Sequence, residues 1–321
     1  MIKNLEIFNF KSIKHLKLEC KRINLFIGEP NTGKSNILET IGLLSHLHSG
    51  GDVHRFLRFE NMTDLFYDHI LEEGFKIIFD GKTLETEFRN GTFFGSYLKE
   101  AGERVSELFR YDYQGKGFRG LLPDFSPFKF YRFIVRTDFP NHQSDVLNPP
   151  DGDNLLAVIL VRKDLRTILK QIFDSFGLTL VFEPQEGKIR VQKQLEDIVI
   201  SFPYSVASET LQRLVFHLAA IYSNKDSVIA FEEPEAHAFP YYTKYLAESI
   251  AQDKNNNQYF ISTHNPYFLL SIIEKAKRDE VTVFYTRLED YQTKVKALTE
   301  AQIGEILGKG IDVFFDLERF R

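Results

Sequence analysis

From Ile23 to Asn36 the chain reads Ile-Asn-Leu-Phe-Ile-Gly-Glu-Pro-Asn-Thr-Gly-Lys-Ser-Asn. Gly28 and Gly33 frame four residues and are followed at once by Lys34 and Ser35, the spacing GxxxxGK(S/T). An apolar run reads as a buried strand. The loop after it wraps backbone N–H groups around phosphates and needs glycine where a Cβ would intrude. Lys34 supplies a point charge to the β- and γ-phosphates and the Ser35 hydroxyl a ligand to Mg²⁺. Asn31, Thr32, Gly33 and Asn36 complete the candidate phosphate grip. The anion then rests on the N-terminus of the next helix, where unpaired N–H groups and the helix dipole favour it. That helix is legible from Ile37, Leu38, Ile41, Leu44 and His48 at helical spacing.

With 321 residues the chain has room for one large domain or two. Its net charge of −5 excludes a globally basic nucleic-acid binder but allows a local basic patch. Cys20 is the only cysteine, so no internal disulfide forms and a reducing, cytoplasmic setting is expected. Ile2 to Phe10 reads as a strand, not as a basic-then-apolar leader. No apolar run approaches the ~20 residues of a membrane span, so a soluble protein with no membrane partner is expected.

Before the P-loop, Ile2 to Phe10 and Leu16-Leu18 read as two strands around Asn9-Phe10-Lys11-Ser12. Gly50 to about Phe66 reads as a loop with a short helix. A meander follows: Phe75–Phe79, Thr83–Phe88 and Thr92–Leu98, joined at Asp80-Gly81 and Asn90-Gly91, which are strong hairpin turns. Phe128–Val135 reads as a strand and Pro140–Pro150 as a polar loop. The spacing predicts one long helix over Asp153–Phe176, capped by Asp153, then a hairpin of Leu178–Phe182 with Lys188–Val191.

The second half carries more chemistry. Val228-Ile229-Ala230-Phe231 is a short apolar run ending in Glu232-Glu233-Pro234-Glu235, a Walker B-like strand delivering carboxylates to its C-terminal tip, where ligands of open α/β sheets sit. Glu232 is expected to hold Mg²⁺ through water, and Glu233 to orient or deprotonate the attacking water. Tyr259-Phe260-Ile261-Ser262 is another strand, ending at Thr263-His264-Asn265-Pro266. From that tip His264 is placed to reach a γ-phosphate. Ser208 precedes a helix with Leu211, Leu214, Val215 and Leu218 on one face, and simple N-capping accounts for it equally well. Pro240 opens a further helix. His46, His48 and His54 lack a cysteine or carboxylate to complete a metal site and read as surface residues. Lys275, Lys277 and Arg278 suit a helix C-terminus, and the tail from Gly304 to Arg321 reads as a short helix and docking segment.

Taken together, Asn9-Phe10-Lys11-Ser12, Gly33-Lys34-Ser35-Asn36, Glu232-Glu233-Pro234-Glu235-Ala236-His237 and Ser262-Thr263-His264-Asn265-Pro266 resemble the ABC-type ATPase heads of the SMC, RecF and OLD group. The likeness is greatest to OLD-like predicted prokaryotic ATPases and covers Met1 to about His48 and Asn148 to about Leu269. Pro150-Asp151-Gly152-Asp153-Asn154-Leu155 resembles a linker of those proteins. The resemblance implies an α/β P-loop fold: a mixed central sheet flanked by helices, an added antiparallel β-subdomain and a helical region. It implies one head over 1–321, with an N-terminal lobe at 1–147, a helical and hairpin linker at 148–202 and a C-terminal lobe at 203–321. It also implies that Lys11 and Ser12 touch the nucleotide near the α-phosphate and ribose, that His264 is the switch histidine, and that Ser208 completes the site of a second subunit. Thr210 stands where the group usually has glycine, and the glutamine of the usual Q-loop has no obvious counterpart.

These readings predict an ATPase using ATP and Mg²⁺, with Glu233, His264 and Lys34 catalytic, that dimerises on ATP. No sustained heptads predict no SMC-type coiled-coil arms. With no room after the switch region for a TOPRIM nuclease domain, the effector, a nuclease or toxin, is expected on a separate chain. Anti-phage defence or DNA maintenance is the expected setting, with DNA contact left open. The alternatives are a nucleotide-gated scaffold with little turnover and a RecF-like repair factor.

Overall fold

The computed structural model describes residues 1–99, 104–120, 123–309 and 317–320. Its centre is a six-stranded sheet in the order Gln292–Ala297, Val281–Glu289, Ile23–Ile27, Gln258–Ser262, Val228–Glu232, Phe128–Tyr131. The last five run parallel and only Gln292–Ala297 is antiparallel to its neighbour. Because the strands are parallel, their C-terminal ends line one edge. The P-loop leaves Ile27, Glu233 follows Glu232, Thr263-His264 follow Ser262, and Arg132 follows Tyr131. Segments some 200 residues apart in sequence thus meet at one rim.

Alternation along these strands feeds two cores, as period-two geometry requires. Leu25, Ile229, Phe231 and Ile261 join one core with the helices Leu155–Val161, Lys163–Asp174, Glu209–Ser223, Pro240–Ala251 and Pro266–Lys275. Phe26, Val228, Ala230 and Phe260 join the other, which contains the P-loop helix Lys34–Ser49 and the inner face of a seven-stranded antiparallel sheet. The helix between two sheets is buried almost all round, including Glu39 and Thr40. The antiparallel sheet holds the expected hairpin Asn4–Phe10 with Ile13–Glu19, then Lys76–Phe79, Lys82–Arg89 and Thr92–Leu98.

Several expectations are corrected. The helix predicted over Asp153–Phe176 is two helices, Leu155–Val161 and Lys163–Asp174, with Arg162 extended between them (φ −93°, ψ 97°). Arg162 Nη2 instead reaches the Ser223 carbonyl at 3.1 Å, the C-terminus of the helix Glu209–Ser223, where a cation is favoured. Asp153 caps nothing. Asn154 holds the N-cap position, and its side chain ties the preceding loop at Gln143 and Val146. The strand expected over Phe128–Val135 stops at Tyr131, because the Arg132 N–H turns to the Pro150 carbonyl (2.8 Å). The hairpin from Thr179 gains a third strand, Ile198–Pro203, and extends to Leu195. His46 is not a surface residue. It is 1% exposed, 2.8 Å from the Tyr111 hydroxyl, and burial pushes its pKa down to about 4. The tail forms a helix over Glu300–Lys309, and part of the expected docking segment lies outside the described residues. Among the described residues no helix is long and apolar enough to cross a membrane.

Candidate nucleotide site

Gly28 and Gly33 are glycines for a reason internal to the chain as well as for a ligand. Gly33 takes φ +92°, and a Cβ there would strike the Thr293 side chain. At Gly28 a Cβ would strike the Thr286 carbonyl. The two threonines belong to the neighbouring strands and press the loop from behind, leaving no room for a side chain.

Lys34, 5% exposed, donates to the Gly28 carbonyl at 2.8 Å and the Glu29 carbonyl at 2.7 Å. Burial lowers its pKa to about 8, against the raising influence of Glu233 and Glu29. Neutral loop carbonyls are weak partners for an ammonium, so a phosphate oxygen offers it a charge-assisted bond in exchange. Ser35 Oγ donates to Glu232 Oε1, which joins the two expected metal ligands directly. One hydroxyl and one carboxylate with phosphates and water suit Mg²⁺, which keeps several waters and seldom takes an all-protein cage.

Glu233 has φ 43°, a left-handed conformation that costs a residue with a Cβ about 1 kcal/mol. Its N–H donates to the Ser262 carbonyl at 3.0 Å, fixing the turn against the switch strand. His264 Nε2 then lies 3.4 Å from Glu233 Oε1. Burial and Lys34 lower the His264 pKa, with Glu233 opposing, so a neutral imidazole faces the carboxylate. Below them Glu235 is 4% exposed, and Thr263 Oγ1 donates to its Oε1. Burial raises the Glu235 pKa to about 7, and its Oε2 has no hydrogen-bond partner among the described residues.

The remaining sequence candidates divide. Thr32 Oγ1 donates to the Glu29 carbonyl (2.9 Å) and Asn31 is exposed at the loop's outer turn with φ 60°. Asn36 Nδ2 donates to Ser12 Oγ (2.7 Å), which also meets Thr293 Oγ1 (2.7 Å). Ser12 and Asn36 thus lace the first hairpin to the P-loop helix. The Lys11 ammonium is turned onto Glu39 and the Arg58 carbonyl. Ser208 caps its helix, accepting from the Leu211 N–H (3.4 Å). It lines a separate hollow with Phe176, Thr210, Leu211, Phe239, Tyr241 and Tyr242, and no P-loop, Walker B or switch residue lines that hollow. Within one chain, then, the structure does not bring Ser208 to Lys34.

Sequence reasoning missed Glu39, Arg58 and Arg132. Glu39 is fully buried one helical turn beyond Ser35, and Arg58 Nε contacts it at 2.8 Å. Arg58 Nη2 reaches Glu232 Oε1 at 3.1 Å, and Arg132 Nη2 reaches Glu232 Oε2 at 3.4 Å. A carboxylate on the apolar stripe of the P-loop helix was a readable signal that cations lay nearby. Which cations was not readable. The strand beside Walker B ends at Tyr131 and is followed by Arg132, not by a glutamine.

Comparison with known proteins gives two family matches. Residues 1–96 match a family described as AAA ATPase domain, and residues 126–271 match one described as AAA domain, putative AbiEii toxin, Type IV TA system. Among solved structures, an SmcHead bound to the C-winged helix domain of ScpA aligns at TM-score 0.54 with 15% identity, over 94% of this chain and 99% of that one. An Smc head domain with an extended coiled coil, bound to the C-terminal domain of ScpA derived from Pyrococcus furiosus, aligns at TM-score 0.53 with 14% identity, over 96% and 98%. At such identities the likeness to SMC heads is one of fold. ATPase family models thus match both the P-loop segment and the Walker B segment, and the fold that joins them is that of SMC heads, which supports the reading of an ABC-type ATPase of the SMC/RecF/OLD group.

Proposed function

We propose that this chain is an ATP-hydrolysing subunit that closes as a homodimer on two Mg²⁺-ATP, with Ser208 of each copy completing the other's site. The carrying observation is the convergence at one sheet rim of Lys34, the Ser35–Glu232 pair and the Glu233–His264 pair. Lys34 and the loop N–H groups hold the phosphates. Ser35 and Glu232 hold Mg²⁺. Glu233 orients and deprotonates the water, while the neutral His264 beside it contacts the γ-phosphate. Asn31, Thr32, Gly33 and Asn36 shape the grip, and Lys11 and Ser12 stand behind it near the α-phosphate side. The need for a second copy is supported by the separation of Ser208 from the P-loop residues within one chain.

In this reading the protein works in the cytoplasm in anti-phage defence or DNA maintenance, with a nuclease or toxin on another chain. The toxin–antitoxin description of the family matching 126–271 supports the defence setting. A second reading, a nucleotide-gated scaffold with little turnover, is favoured by Thr210. Its Oγ1 donates to the His237 carbonyl (2.8 Å), tying the start of the signature helix to the turn after Walker B. Steady-state phosphate release from wild type and Glu233→Gln separates the two. The ATPase reading expects the variant to lose about a hundredfold, roughly 2.7 kcal/mol of barrier. Equal release from both proteins, with DNA and partner present, contradicts it.

A further inference from the structure

Glu232 does not stand alone at its strand tip. Register pairs Phe231 with Tyr131, so Arg132 emerges beside it. Arg132 Nη2 lies 3.4 Å from Glu232 Oε2 and 3.6 Å from Glu39 Oε1. Arg58 spans the same two carboxylates at 3.1 and 2.8 Å. Both guanidinium groups carry a fixed positive charge. Both oxygens of Glu232 are therefore engaged by guanidinium. A divalent cation drawing on that carboxylate, directly or through water, has to loosen those contacts, whereas fully buried Glu39 offers the arginines an anion to fall back on.

The same two segments meet again on Asp151. Arg55 grips Asp151 with both forks, Nη2 to Oδ1 at 2.6 Å and Nε to Oδ2 at 3.1 Å. Arg136 Nη2 reaches the same Oδ1 at 2.7 Å, and its Nε reaches the Asp151 carbonyl at 3.2 Å. The Asp151 side chain is 8% exposed. Between the two clamps the backbone is fastened as well, the Arg132 N–H donating to the Pro150 carbonyl. Next in sequence, Gly152 takes φ +65°, and a Cβ on it would come within 3.0 Å of the Phe216 ring, on the helix that Ser208 caps. Chemistry at Glu232 is thus joined to that helix by two arginine–carboxylate clamps on shared segments.

We infer that Arg132 is a positioning residue that couples metal binding at Ser35 and Glu232 to the helix Glu209–Ser223, through Arg136, Asp151 and Gly152. The inference rests on the proposed role of Ser35 and Glu232 as the Mg²⁺ ligands. In it, a divalent cation takes Glu232 from the arginines, Arg132 settles on Glu39, and the shift of its segment is passed through the Asp151 clamp to Phe216.

The test uses binding and exchange, not turnover. A fluorescent ATP analogue is titrated in EDTA and then against Mg²⁺, and hydrogen exchange is followed over residues 209–223 with and without Mg²⁺. Arg132→Met is expected to keep its affinity in EDTA, to lower the Mg²⁺ midpoint by roughly tenfold because a competing cation is gone, and to abolish the Mg²⁺-dependent change in exchange. Asp151→Asn leaves the metal ligands untouched. It is expected to keep the wild-type midpoint and still lose the exchange response, and it carries the test if Arg132→Met fails to fold. An unchanged midpoint in Arg132→Met, or a wild-type exchange response in Asp151→Asn, overturns the inference. If wild type itself binds the analogue with no dependence on Mg²⁺, the metal assignment and the inference fall together, an outcome visible before any variant is made.

Discussion

Around Lys34 and Glu232 the charged groups find partners within the same chain: loop carbonyls for Lys34, Ser35 and two arginines for Glu232, and Lys11 and the same arginines for Glu39. Around Ser208 the surface is of the opposite kind. Val206 is 67% exposed, Phe239 66% and Tyr241 64%, and among the described residues the Ser208 side chain makes one long hydrogen bond, to its own helix. One end is closed by its own charges, while the other presents aromatic rings to solvent, the composition of an interface core. On the proposed function, the difference makes nucleotide affinity and subunit closure separable. Changes at the first end are then expected to alter ATP binding by a single copy, and changes at the second only the proposed pairing of copies.

The largest expected effect breaks the first end. Lys34→Ala removes a charged donor to phosphate worth about 1.5–3 kcal/mol, so calorimetry should find ATP affinity reduced roughly ten- to hundredfold. Unchanged affinity would mean that the phosphates lie elsewhere. Next comes the buried acid beneath the switch strand. Glu235 has a folded pKa raised from 4.5 to about 7, so its favourable contribution is present below pH 4.5 and is lost as pH rises through about 7. Glu235→Gln, which imitates the protonated form, should therefore stabilise the protein at pH 8 relative to pH 5 by about 2 kcal/mol. Thermal melts of both proteins at the two pH values check this, and a pH-independent difference would contradict it. The smallest effect sharpens the second end. Phe239→Asp, and separately Tyr241→Asp, should weaken ATP-dependent pairing about tenfold while leaving ATP affinity of the single copy within about twofold. Sedimentation and calorimetry on the same samples read both quantities. A parallel loss of the two would show that the ends are not separable.

The rim was legible where its chemistry is local. Gly28-to-Ser35, Glu232-Glu233 and Thr263-His264 each announce themselves within a few residues, and the apolar runs before them are the parallel strands that bring them together. The arginine clamps were not legible, because Arg58, Arg132 and Glu39 come from three segments whose meeting depends on topology. No spacing marks an arginine as set against a carboxylate. The same holds for Arg162, which breaks a well-patterned helix to reach Ser223, and for His46, whose partner Tyr111 lies on a distant strand. Local periodicity foresaw the elements, and tertiary hydrogen bonds decided where they stop.

The central claim is that the P-loop end is complete in one chain and the signature end is not. Sedimentation of Glu233→Gln with saturating ATP and Mg²⁺ tests it most directly, because the variant should hold ATP without releasing it. The account predicts a species of twice 37.4 kDa that returns to 37.4 kDa when ATP is withdrawn. A particle that stays at 37.4 kDa with ATP bound would contradict it.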